Sequence, residues 1–244
     1  MRENLYSSPR AATRSASPTS SSYRANGRRG RFPMYNPPYF QEQRPEVLHQ
    51  LMREHSLAAL VTLGPGGLIA NHVPLILYPD AGPLGTLRGH LSRMNSQWRD
   101  SLPEVPALAI FQGPSAYITP SWYPSKDAGG KVVPTYNYMV VHAHGPLQTY
   151  DDPRLLERNV RALTELHEAR FTEPWSVDDA PADYVQGLLR GIIGIEITIA
   201  RLEGKWKLSQ NRTVEDRQGA IDGLRQEGDP LSVAMADWMA SRKP

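Results

Sequence analysis

Two apolar runs, Leu57 to Leu63 and Leu68 to Leu77, are joined by Gly64-Pro65-Gly66-Gly67, which predicts a β-hairpin with a glycine-rich turn. Thr86 to Arg93 alternates. Leu87 and Leu91 fall on one side and Arg88, His90 and Ser92 on the other, because strand side chains change face at every residue. Further strands are predicted at 107–112 and 116–119, followed by a surface loop over 120–131 rich in Pro, Gly and Ser. In a long strand from Tyr136 to His144, Tyr136, Tyr138, Val140, His142 and His144 share one face, and Asn137, Met139, Val141 and Ala143 the other. Ile193, Ile195, Ile197 and Ile199 mark a half-buried strand leading into Glu203 to Arg212.

Helical spacing appears at the ends and late in the chain. Pro45 to Glu54 places Val47, Leu48, Leu51 and Met52 on one stripe behind an initial proline, as expected of a helix capping a barrel. Asp152-Pro153 starts a helix running to about Arg170, a second covers Ala182 to Arg190, and Thr213 and Asp229-Pro230 begin two more. A β-rich centre with helices at the ends and a late helical insertion predicts a mainly β barrel with helical additions; a doubly wound sheet would alternate strand and helix throughout.

Composition changes this picture at the N-terminus. Residues 1–33 hold seven Arg and seven Ser against one acid and no apolar run, so a disordered leader is expected, with one folded domain over 34–244. The leader has the composition of a mitochondrial transit peptide, but the reading adopted is a dispensable tail or a true start at Met34. Outside the leader, 20 Lys+Arg face 24 Asp+Glu, and this mildly acidic body offers nucleic acid no general electrostatic attraction. The chain has no cysteine, which excludes disulfides, thiolate metal sites and cysteine nucleophiles and fits the cytoplasm, the expected compartment. No apolar run approaches the roughly 20 residues that span a bilayer.

Several chemistries find no support. There is no phosphate-binding lysine loop or dinucleotide fingerprint, and Gly113-Pro114-Ser115 lacks the following glycine of a nucleophile elbow. His142 and His144 project alike from one strand, but no third ligand is evident, so no metal site is expected. A phosphorylated flavin needs a ring wall and a cluster of cationic and hydroxyl donors. Arg88 to Asn95 carries such donors, Gly89 would let backbone approach closely, and Asn71 and His72 precede them. On residue types alone this strand face reads more readily as solvated surface.

MYNPPYF, GLIANHVPLIL, LRGHLSRMN, FQGPSAYITPSWYPSK, GKVVPTYNYMVVHAHG, EPWSVDDAP and EGKWKLSQNR, spread over about residues 34–220, resemble successive blocks of the PaiB family. The resemblance implies an FMN-binding split β-barrel, a homodimer with flavin at the subunit interface, and a negative transcriptional regulator. It implies cofactor binding by Asn71, His72, Arg88, His90, Ser92, Arg93 and Asn95. Trp122, Tyr136, Asn137, Tyr138, Lys205, Lys207, Gln210, Asn211 and Arg212 follow as ligand or dimer-interface candidates. DNA is a partner by resemblance only, since no helix-turn-helix with a basic recognition helix is visible. The alternatives are an FMN-dependent oxidoreductase or flavin reductase acting on a small molecule, and a dimeric adaptor with a vestigial flavin pocket. The resemblance assigns no catalytic residue.

Overall fold

The computed structural model describes residues 33–242. The leader expected to be disordered lies, through residue 32, outside the described residues. The predicted hairpin forms as β2 (Leu57–Gly64) and β3 (Gly67–Pro74), after a two-residue edge strand β1 (Gln41–Glu42) and helix α1 (Pro45–Glu54). The second arm, expected to continue to Leu77, breaks at Leu75, and β4 (Ile76–Tyr78) enters a different sheet beside β5 (Thr86–Ser92). The break is local chemistry: Pro74 has no N–H to carry the ladder on, and the Leu75 amide bonds instead to the Ser56 carbonyl at 2.9 Å.

A short unpredicted helix, α2 (Gln97–Asp100), follows β5. The strands expected at 107–112 and 116–119 are one, β6 (Ala107–Ile118), with a register shift between Gln112 and Ser115 where Gly113-Pro114 forms a bulge. The predicted loop contains a five-residue helix, α3 (Ser125–Gly129). β7 (Thr135–Gly145) and β8 (Leu147–Tyr150) lead to α4 (Pro153–Glu168), whose first N–H groups are capped by the Asp152 carboxylate. α5 (Ala182–Leu189), β9 (Ile192–Thr198), β10 (Arg201–Lys207), α6 (Val214–Glu227) and α7 (Pro230–Ser241) complete the order, with Thr213 and Asp229 capping the last two helices as their sequence predicts.

All strand pairs are antiparallel, in a six-stranded sheet ordered β1-β10-β7-β6-β2-β3 and a four-stranded sheet ordered β4-β5-β9-β8. Chain passes from one ladder to the other at β3–β4, β5–β6, β7–β8 and β9–β10, so the two sheets close on one core as a split barrel. Leu60, Phe111, Met139, Val141, Leu87, Ile195 and Trp206 meet there, fully buried. Helix α1 plugs one end with Leu48, Leu51 and Met52, while α6 packs on α7 and α7 packs against β6. Helix α4 lies over the outer face of the four-stranded sheet, against β5 and β9.

The edge strand β1 is tied to both ends of the described chain. Burial alone would raise the carboxyl of Glu42, but hydrogen bonds from Arg44 and the charge of Arg242 hold it down at about 2. Its folded value lies below the ordinary 4.5, so the contribution to stability is complete above that pH and drains away as pH falls toward 2. Glu42→Gln should therefore lose on the order of 2 kcal/mol at neutral pH, with the gap to wild type narrowing in acid. Urea unfolding at neutral pH and near pH 4 reads both values.

Candidate functional site

Strands β3 and β5 belong to different sheets yet run side by side, because β3 turns the corner into β4 and β4 pairs with β5. Gly89 makes that crossing feasible. A Cβ there would stand 2.7 Å from the Pro74 carbonyl oxygen and 2.8 Å from Leu75 Cδ2, closer than side-chain carbons pack. The close backbone approach expected at Gly89 is that of a neighbouring strand.

Along this seam runs a cleft of about 470 Å³, within the size range of cofactor sites. Asn71, His72, His90, Ser92 and Asn95 line one side. Leu188, Gly191 and Ile192, from the end of α5 and the start of β9, line the other. Asn71 Nδ2 donates to Gln97 Oε1 at 2.9 Å, and the fully buried Gln97 amide donates to the Leu60 carbonyl at 3.0 Å, which fixes the wall to the core. The Ser92 hydroxyl oxygen accepts from the Met94 N–H at 3.2 Å, and Asn95 Oδ1 accepts from the Gln97 N–H at 3.0 Å. The Ser92 O–H and the Asn95 amide N–H groups are thereby left as donors. His90 Nδ1 is buried and has no hydrogen-bond partner, and burial pulls its imidazole below the ordinary range, so the ring is neutral at pH 7.

The two arginines expected in this cluster sit elsewhere. Arg88 Nε donates to Glu196 Oε2 at 2.6 Å, directly across the β5–β9 ladder, and the guanidinium lies 4.8 Å from the centre of the Tyr78 ring. It lines a separate pocket of about 190 Å³ beneath α4, with Tyr150 and Asn159. Arg93 donates to the Arg190 carbonyl at 2.8 Å and pairs with Asp151. Five of the seven primary candidates therefore converge, and what they offer a ligand is neutral donors and apolar walls.

The second group divides in the same way. Asn137 is fully buried, with Nδ2 donating to Ser209 Oγ at 2.9 Å, and Gln210 accepts from the Leu208 N–H at 2.7 Å; these internal bonds give both residues structural work. Trp122 is half-buried against α6, and Arg212 lies 5.0 Å from the centre of the Tyr123 ring. Tyr136, Tyr138, Lys205 and Lys207 gather on the outer side of β7 and β10, where Lys205 donates to the Tyr35 carbonyl at 2.9 Å and Lys207 to the Tyr136 carbonyl at 2.8 Å. Burial, then the nearby charges of Lys205 and Arg212, push the Lys207 amine below its ordinary range. Asn211 is exposed in the turn after β10.

The donor set of the seam fits FMN. A phosphate or ribityl chain takes hydrogen bonds from a hydroxyl and an amide, an unpartnered imidazole nitrogen accepts or donates according to its tautomer, and Leu188 and Ile192 offer apolar contact.

Residues 34–201 match the family described as "Putative FMN-binding domain". An uncharacterized protein of Emericella nidulans is 34% identical, over 86% of this chain and 97% of that protein. Protease synthase and sporulation protein PAI 2 of Bacillus subtilis is 32% identical, over 86% of this chain and 98% of that protein. Among solved structures, the FAD and heme binding protein of Mycobacterium smegmatis aligns with a TM-score of 0.49 at 15% identity, covering 68% of this chain and 73% of that one.

Proposed function

The chain belongs to the PaiB-type family of FMN-binding domains, and we propose on that premise that it holds FMN in the seam between β3 and β5 and acts as a flavin-binding negative transcriptional regulator. The buried, unpartnered Nδ1 of His90 beside the Ser92 and Asn95 donors carries the site assignment. A buried polar atom without a partner is costly, and a ligand group that bonds it removes that cost. Bound FMN supplies reversible electron chemistry; the chain binds it, orients it and keeps water from its buried side.

Flavin absorbance of the purified protein and titration with FMN test the reading. Ser92→Ala with Asn95→Ala should weaken FMN about a hundredfold, two hydrogen bonds to a charged group at about 1.5 kcal/mol each. Arg88→Ala, which removes the pair with Glu196 and the contact with the Tyr78 ring, both outside the seam, should stay within about twofold. Equal losses in the two variants would move the phosphate to the pocket under α4.

The regulatory half rests on the family resemblance. Among the described helices, α4 interleaves Arg154, Arg158 and Arg161 with Glu157, Glu165 and Glu168, and Arg161 is already paired with Glu157 at 2.9 Å and Asp178 at 2.8 Å. Sequence-specific DNA retardation that survives deletion of residues 1–32 and moderate salt supports regulation by the folded body, since nonspecific binding by an arginine tail collapses as salt rises. An FMN-dependent oxidoreductase is the second reading, favoured by the neutral imidazole of His90 in the cleft wall; NAD(P)H-dependent bleaching of bound flavin would select it.

The same proposal includes a homodimer. The outer face of the six-stranded sheet presents Ala59, Val61, Leu63, Leu108 and Ile110, with Leu57 61% and Leu68 79% exposed. An apolar sheet face of this extent is what a second copy would cover.

A further inference from the structure

His142 and His144 stand two apart on the outer face of β7, and their sequence neighbourhood supplies no third ligand. The fold supplies one. β10 runs beside β7 with Glu203 directly opposite His142, and one ligand atom from each of His142, His144 and Glu203 lies within 4.8 Å of the others. The two imidazole centroids are 6.3 Å apart, inclined at 65°. His144 Nε2 is 3.2 Å from Glu203 Oε2, yet buried and without an aligned hydrogen bond.

We propose that His142, His144 and Glu203 form a binding site for a divalent transition-metal ion, with zinc the best fit, on the sheet face away from the barrel core. Two imidazoles and a carboxylate are a recurrent zinc donor set, with metal-to-ligand bonds of about 2.0–2.2 Å and a fourth position left for water or another ligand. Ligand atoms around such an ion stand about 3.5 Å apart, so the trio must draw together slightly. The terminal torsions of His and Glu are broad enough to allow this.

The carboxylate is already engaged. Arg201 contacts the same Oε2, and the Met34 N–H donates to Oε1 at 3.2 Å. These contacts hold Glu203 toward the histidines, while the positive charge of Arg201 opposes the cation. Arg201→Gln should therefore bind metal more tightly than the wild type.

The test uses full-length protein without a histidine tag. Zinc titration by calorimetry, and cobalt titration read from visible ligand-field bands, should show one site per chain. That site should disappear in His142→Ala with His144→Ala and weaken at least tenfold in Glu203→Gln. Zinc should also raise the melting temperature of the wild type and leave that of the double variant unchanged. Should the double variant fail to fold, X-ray absorption of the zinc-loaded wild type gives the same answer by counting imidazole ligands. Unchanged stoichiometry in a folded double variant, fewer than two imidazoles in the absorption spectrum, or no saturable binding by the wild type would each overturn the assignment.

Discussion

Replacing Gly89 by valine should lower the melting temperature and release FMN together. The new Cβ would stand 2.7 Å from the Pro74 carbonyl oxygen and 2.8 Å from Leu75 Cδ2, and β5 cannot slide away because β4 and β9 hold it on both edges. The strain must open the corner where β3 becomes β4. Overpacking of this kind costs about 1–3 kcal/mol, and a domain of this size loses about 2–4 °C for each of them. His90 and Ser92 line the cleft close to the clash, so the same displacement separates them from Asn71 and His72. Gly66→Ala is the control, since nothing lies within 4 Å of its Cβ position. A destabilised but folded Gly89→Val protein that keeps full FMN affinity would place the cofactor away from the seam.

Ile110→Glu should convert the proposed dimer to a monomer. Ile110 sits on β6 between Ala59 of β2 and His142 of β7, in the middle of the apolar outer face. A two-fold interface repeats every substitution, so one glutamate per chain brings two unpaired carboxylates into the contact. Burying them without partners costs several kcal/mol, and about 3 kcal/mol already weakens dimerisation more than a hundredfold. Light scattering behind size exclusion gives the mass directly. The substitution leaves the inward residues Ala109 and Phe111 untouched, so the monomer should stay folded. An unchanged dimer mass would show that the copies pair through another face. If flavin contacts come from both copies, the monomer should also lose FMN.

Faces and boundaries were largely legible along the chain. Alternation in β5 and β7 sorted inward from outward side chains correctly, because one side of each strand meets a core and the other does not. Asp152, Thr213 and Asp229 marked helix starts, since each cap is made by a side chain to amides two or three residues ahead. The misreadings were local as well: Pro74 ended a strand that read as continuous, and Gly113-Pro114 bulged a strand that read as broken.

What the residues along the chain determined, then, was the β-rich order, the capped helices, the family blocks and the strand faces, all products of interactions reaching a few residues. Pairing across the sheets decided the chemistry. Glu196, 108 residues from Arg88, pairs with that arginine, and Asp151, 58 residues away, pairs with Arg93. Leu188 and Ile192 were brought to close the seam, and Glu203 was set opposite His142. Strand register is set by the packing of the whole barrel, and no local spacing encodes which distant residue will face a given side chain across a ladder.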